Sequence, residues 1–212
     1  MKKLILIRHC ETDYVVQKKY CGHEDAQLNS NGIKQARNIQ LRLEQADVDK
    51  IYSSDLKRAS QTADIIFPKR KTIKRKGLRE IDFGNFAGLT YEQVLIKYPR
   101  VYRKWLESPS DSKIPGGESL FDLSKRVVMC FNEIASGNPN KTIAIISHGG
   151  PNRIIILKLL GWNLNRFWDV EQDAAAVNFF ISKKGALCAL KLNVVSYRGK
   201  YGEDYFCSRW FA

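Results

Sequence analysis

A chain of 212 residues, 44% of them hydrophobic, can bury the core of one domain without a disulfide or metal staple. Lys and Arg number 35 against 22 Asp and Glu, a formal net charge of +13 that favours anionic substrates, polyanions or acidic surfaces. Cys10, Cys21, Cys130, Cys188 and Cys207 form no CxxC pair and the three histidines have no close partner at ligand spacing, so a disulfide framework and a zinc site are both disfavoured.

Met1-Lys2-Lys3 is followed by only four apolar residues, Leu4 to Ile7, too few for a secretory leader, and no run approaches the length of a membrane span. A cytoplasmic protein with reduced thiols and no membrane partner is expected. Leu4 to Ile7 reads as a buried strand, followed by a polar loop to Ser30. Apolar residues at Ile33, Ala36, Ile39 and Leu43 predict a helix over 32–43, with Asn29 or Ser30 as its cap. Lys50 to Ser53 reads as a second strand, and Asp55 to Phe67 as a helix that Pro68 stops. A third strand is expected over 72–76. A helix over 90–106, interrupted near Pro99, leads into a Pro/Ser/Gly loop over 108–117. Leu120, Leu123, Val127, Val128, Phe131 and Ile134 set the stripe of a helix over 120–135. Thr142 to Ile146 is a continuous apolar strand, Asn152 to Leu160 a helix ending at Gly161, and 174–181 and 186–195 two late strands.

Strands alternating with helices predict an α/β fold: three α/β/α layers around a mostly parallel sheet. A single domain is expected over 1–195, with a helical cap segment at about 90–120 and an aromatic tail over 196–212 that holds Tyr197, Tyr201, Tyr205, Phe206, Trp210 and Phe211. The basic run from Lys69 to Arg79 is either a polyanion or phosphate-steering patch or, as charge runs more often are, a solvated strand and turn.

Two of the three histidines stand at the ends of the two best buried strands, His9 after Arg8 and His148 before Gly149-Gly150. A lone histidine is most often a hydrogen-bonded structural one, but ligands of open α/β sheets bind outside the carboxyl ends of strands. Glycines also let backbone N–H groups approach an anion, at the positive end of the helix that follows.

At this point the chain resembles the histidine phosphatase superfamily, also called phosphoglycerate-mutase-like. The family's RHGET stands here as Arg8-His9-Cys10-Glu11-Thr12, followed by Gly22 to Leu28, Gly32 and Gln35-Ala36. The SSDLxRAxQTA element runs from Ser53 to Ala63 and contains Arg58. Leu78, Glu80, Gly84 and Gly88 match LxExxxGxxxG, Pro115 to Ser119 is PGGES, and Ser147 to Gly150 is SHGG. The resemblance spans about residues 4–160 in family order. It implies a phosphomonoesterase in which His9 is the nucleophile and Glu80 the acid and base. Arg8, Arg58, His148 and the Gly149 amide would bind the phosphoryl group, with Glu11 and Thr12 supporting the loop. Imidazole attack splits one hard displacement into two easier ones, and guanidinium groups suit a phosphoryl group's equatorial oxygens. Asp82 is a rival for the acid. No cofactor or metal is called for. The expected partner is a small phosphorylated substrate rather than nucleic acid, and a homodimer is left open.

Two positions depart from the family pattern. Cys10 replaces the usual Gly, which would strain the backbone if a glycine-only conformation were needed and would leave a thiol beside the site. Val15 stands where many members carry Asn. The short stretch between Gly88 and Pro115 favours a phosphatase over a phosphoglycerate mutase. The run from Glu80 to Gly88, Tyr98-Pro99, Trp105 and PGGES together resemble the α-ribazole-phosphate phosphatase branch, which acts in cobalamin synthesis; a broad sugar-phosphate phosphatase is the alternative. A non-enzymatic RNA or polyanion binder would use the basic run instead.

Overall fold

The computed structural model describes residues 1–108, 110 and 112–195; the aromatic tail lies outside the described residues. Six strands, β1 (Lys3–Arg8), β2 (Lys50–Ser53), β3 (Thr72–Lys74), β4 (Thr142–Ser147), β5 (Val177–Lys183) and β6 (Ala186–Val194), form one sheet in the order β3-β2-β4-β1-β5-β6. The pairs β1–β4, β2–β4 and β2–β3 are parallel, and only β5 runs against its neighbours. The sheet is therefore mostly parallel, as expected.

Strand alternation builds the two cores. Leu4 and Leu6 join Ile143 and Ile145 on one face, while Ile5 and Ile7 join Ala144 and Ile146 on the other. All eight are fully buried, and each such aliphatic side chain larger than alanine contributes about 1.5–3 kcal/mol by leaving water. The second face is covered by α2 (Ser30–Arg42), through Ala36 and Ile39, and α3 (Lys57–Ile66), through Ala59, Ala63 and Ile66. The first face is covered by α6 (Leu120–Ser136), through Leu123, Val127 and Phe131, and α7 (Gly149–Leu160), through Ile154, Ile155 and Leu157. α4 (Tyr91–Lys97) and α5 (Pro99–Glu107) add Val94, Tyr102 and Trp105 to the core of the first face. They break at Tyr98 because the residue before a proline leaves the helical region, here at φ −133°.

Several boundaries differ from expectation. The polar stretch before Ser30 contains a short helix, α1 (Asp13–Val16), capped by the Thr12 hydroxyl, which accepts from the Val15 amide. Four residues are too few to show a period. β3 ends at Lys74, and a 3₁₀ turn follows at Lys76–Leu78. β5 starts at Val177, after Ala175 takes a left-handed φ of 62° that interrupts the extended run. α7 begins at Gly149, not Asn152, so both glycines and Pro151 lie in its first turn. Proline is tolerated there because first-turn amides have no partner within the helix. Among the described residues, no helix is long and apolar enough to cross a membrane.

Candidate active site

β1 and β4 are the two central strands, and their last residues, Arg8 and Ser147, stand opposite each other in the ladder. His9 and His148 thus step off adjacent strands at one level, their ring centroids 5.1 Å apart and their planes tilted by 59°. Arg8, His9, Thr12, Arg58, Glu80 and Gly149 line a single cleft of about 370 Å³ at this edge. His148 does not line it; it lies against His9, fully buried, and neither ring nitrogen has a hydrogen-bond partner.

The backbone of His9 is held on several sides. Its amide donates to the Ser147 carbonyl (2.8 Å), and its carbonyl accepts from the Ala175 amide (3.1 Å). The next amide, of Cys10, donates to Thr62 Oγ1 (3.1 Å), and that hydroxyl donates to the Arg58 carbonyl (2.7 Å). His9 Nδ1 lies 2.7 Å from the Cys10 carbonyl oxygen. A carbonyl can only accept, so the proton sits on Nδ1 and Nε2 keeps its lone pair. Burial, then the charges of Arg58 and Arg8, hold the His9 pKa well below the usual histidine value; burial and Arg58 do the same for His148. Both imidazoles are neutral near pH 7.

Arg58, only 1% exposed, reaches the cleft from α3. Its two terminal nitrogens donate to the Gly22 (2.7 Å) and Glu24 (2.8 Å) carbonyls. Gly22, at φ +53°, provides the left-handed bend from which the 22–28 segment curls over that guanidinium. The segment is closed at its far end by Gln61 Oε1, which accepts from the Leu28 amide (3.0 Å). Arg8 donates to the Gln172 carbonyl. Glu80 Oε1 accepts from the Ile81 and Gly150 amides, each at 3.0 Å, leaving Oε2 the freer oxygen. A Cβ on Gly150 would lie 2.3 Å from Glu80 Oε1, so the second glycine of SHGG is what admits the carboxylate to the start of α7.

The support residues lie behind this surface. Glu11 has its amide on Gln35 Oε1 (2.9 Å) and its carboxylate on Asn29 Nδ2 (3.0 Å), and the α2 backbone packs so close that a Cβ on Gly32 would sit 2.1 Å from the Glu11 carbonyl oxygen. Asp82 does not line the cleft; it accepts from the Gly84 amide (2.9 Å) and faces His23 at 3.7 Å. Cys10 is fully buried, outside the left-handed backbone region, and its thiol is pushed up to about 12 by burial. The replacement of glycine thus brings neither strain nor a reactive thiolate.

Three features were missed from sequence. Arg126 donates to the Arg79 (2.7 Å) and Glu80 (2.6 Å) carbonyls while its Nε bonds Glu118 Oε1 (2.7 Å), so it holds the Glu80 backbone in place. Arg153 enters the cleft from α7. Tyr20, Phe83, Tyr102, Trp105 and Trp168 form an aromatic wall. The PGGES element serves structure: Gly117 abuts the Asp82 carbonyl and Glu118 pairs with Arg126. These residues report the fold rather than the substrate.

The profile of the histidine phosphatase superfamily (branch 1) matches residues 4–194. A phosphoserine phosphatase of Hydrogenobacter thermophilus is 36% identical over 203 residues, covering 95% of this chain and 96% of its own length. Among solved structures, a phosphoserine phosphatase variant of Entamoeba histolytica bound to phosphoserine matches with a TM-score of 0.82 and 31% identity, over 91% of this chain and 97% of that one. The α-ribazole phosphatase of Shigella flexneri matches with a TM-score of 0.84 and 25% identity, over 91% and 96%.

Proposed function

Because the chain belongs to the histidine phosphatase superfamily, we propose that it hydrolyses phosphomonoesters through a phosphohistidine on His9. The observation that carries this reading is the His9 Nδ1 contact with the Cys10 carbonyl, which aims an unprotonated Nε2 away from the backbone at the edge of a cation-lined cleft. In the first step the Nε2 lone pair attacks phosphorus as the P–O bond to the leaving group breaks, and the departing oxygen takes a proton from the Glu80 carboxyl group. In the second step Glu80, now a carboxylate, accepts a proton from water, whose oxygen attacks phosphorus. The P–N bond breaks, phosphate leaves and Nε2 regains its lone pair. Arg8, Arg58 and the Gly149 amide supply donors to the equatorial oxygens, where negative charge concentrates in the transition state, while His148, expected from sequence to join them, is buried against His9 behind the cleft wall and backs the nucleophile.

Among substrates, a small acidic ester of the phosphoserine type is the favoured class. The relative with that named activity aligns over nearly all of both chains. α-Ribazole phosphate is the second reading, supported by the aromatic wall, on which a flat base can stack.

Rapid quench of the enzyme with a labelled phosphomonoester, followed by detection of acid-labile phosphohistidine, tests the assignment. His9→Ala is expected to lose the label and on the order of 10⁴–10⁶ in kcat. Labelling that persists in the variant refutes it.

A further inference from the structure

We infer that Arg153 forms a second anion subsite, one that selects phosphomonoesters whose leaving group carries a carboxylate. The inference rests on the phosphatase reading above and deepens it.

The cleft is lined by five cationic side chains, Arg8, Lys18, Lys19, Arg58 and Arg153, against one carboxylate, Glu80. A phosphomonoester dianion offsets only part of that surplus, so a substrate with a further negative charge suits the cleft better. Apart from Arg8 and Arg58, Arg153 is the best organised of these cations. Its Nε donates to the Val170 carbonyl at 2.7 Å, and its guanidinium carbon stands 5.3 Å from the Phe167 ring and 5.7 Å from the Trp168 ring. One hydrogen bond and two aromatic contacts thus fix the guanidinium, at little further entropic cost to a ligand.

Among the described residues, Nε is the only Arg153 nitrogen with a hydrogen-bond partner. The two terminal nitrogens are left as a planar fork beside the cleft, the geometry a carboxylate fits with two parallel bonds. Nη1 lies 3.4 Å from where a Cβ on Gly149 would stand, next to the proposed phosphoryl site. An ester with only a few atoms between phosphorus and carboxylate can therefore engage both. Burial and the nearby Arg8 charge depress the Arg153 pKa, as expected for a cation awaiting a counter-ion.

O-phosphoserine and O-phosphoethanolamine differ only in the carboxylate, so the ratio of their kcat/KM values isolates this contact. The wild-type ratio is expected to be about 10- to 100-fold in favour of phosphoserine, and Arg153→Gln should bring it to near one. Arg153→Lys keeps the charge and the stem over the rings but loses the fork, and should fall between; it stands in for the glutamine variant if thermal unfolding shows that one to be misfolded. A wild-type ratio near one, or a high ratio retained in both variants, overturns the proposal. The second outcome includes an equal loss on both substrates, which would assign Arg153 to the phosphoryl group. Calorimetric binding of the same pair to His9→Ala, with and without Arg153→Gln, reads the contact without turnover. The subsite and the His9 mechanism can then fail separately.

Discussion

The chain concentrates positive charge in two places, and the fold treats them in opposite ways. In the cleft, Arg8, Arg58 and Arg153 come from three distant parts of the sequence and converge beside two neutral imidazoles. In the run from Lys69 to Arg79, the charges are adjacent in sequence but dispersed in space. Lys71, Lys74 and Lys76 point into solvent from β3 and its flanks. Arg70 bonds the Val48 carbonyl, Arg75 stands over the Tyr52 ring, and Arg79 makes two bonds to Asp55, at 2.8 and 2.6 Å. β3 is also the edge of the sheet, where lysines discourage pairing with another chain. Charge density along a sequence is therefore a poor guide to an anion site. Desolvated, pre-positioned charge is a better one.

The comparison can be broken by substitution, and the largest effect is expected in the cleft. Arg58→Lys keeps the charge but cannot bond both the Gly22 and Glu24 carbonyls while facing the cleft; kcat/KM on p-nitrophenyl phosphate should fall about 10²–10³-fold. A loss below tenfold would show that bulk charge suffices there too.

A second contrast is in pH. His9 and His148 stay neutral when folded but take up protons near the ordinary value of 6.5 once unfolded. Unfolding thus binds protons below pH 6.5, and stability falls as pH is lowered through that point. About a unit below that point the slope approaches about 1.4 kcal/mol per pH unit for each imidazole, or about 2.7 for the pair. The slope has fallen to half at pH 6.5 and fades within about one unit above it. Denaturant unfolding between pH 5 and 7 measures this, above the range in which the carboxylates titrate, and His9→Ala should halve the slope. A flat profile would mean the rings carry protons in the folded state.

The smallest effect belongs to the run itself. Gln at Lys71, Lys74 and Lys76 together should change kcat/KM less than about twofold and stability by no more than about 0.5 kcal/mol per site. A tenfold loss that fades with added salt would instead make the edge a steering surface.

The proposed site was legible in the sequence because His9 and His148 lie where periodic segments end. Two apolar runs terminate in His9 and His148, and the order of the flanking motifs completes the pattern. Glu80 carries no such signal, since it follows a 3₁₀ turn rather than a strand, and only its motif identifies it. The start of α7 was obscured because Gly149-Gly150-Pro151 has the composition of a turn, although first-turn positions tolerate all three. α1 was too short to show a period. Arg153 and the aromatic wall were hidden for another reason. Tyr20, Phe83, Tyr102, Trp105 and Trp168 meet only through packing across several elements, and nothing local distinguishes them from core residues.

The register of β1 against β4 has one more consequence. Hydrogen-bonded neighbours in any sheet lie about 4.8 Å apart, close to the 5.1 Å between the two imidazole rings. The ladder thus delivers the two residues side by side at the sheet edge, and their own rotamers set the final distance and the 59° tilt. The cleft walls come in part from other elements, α1 and α5 among them, so they can be rebuilt without disturbing the two strand ends.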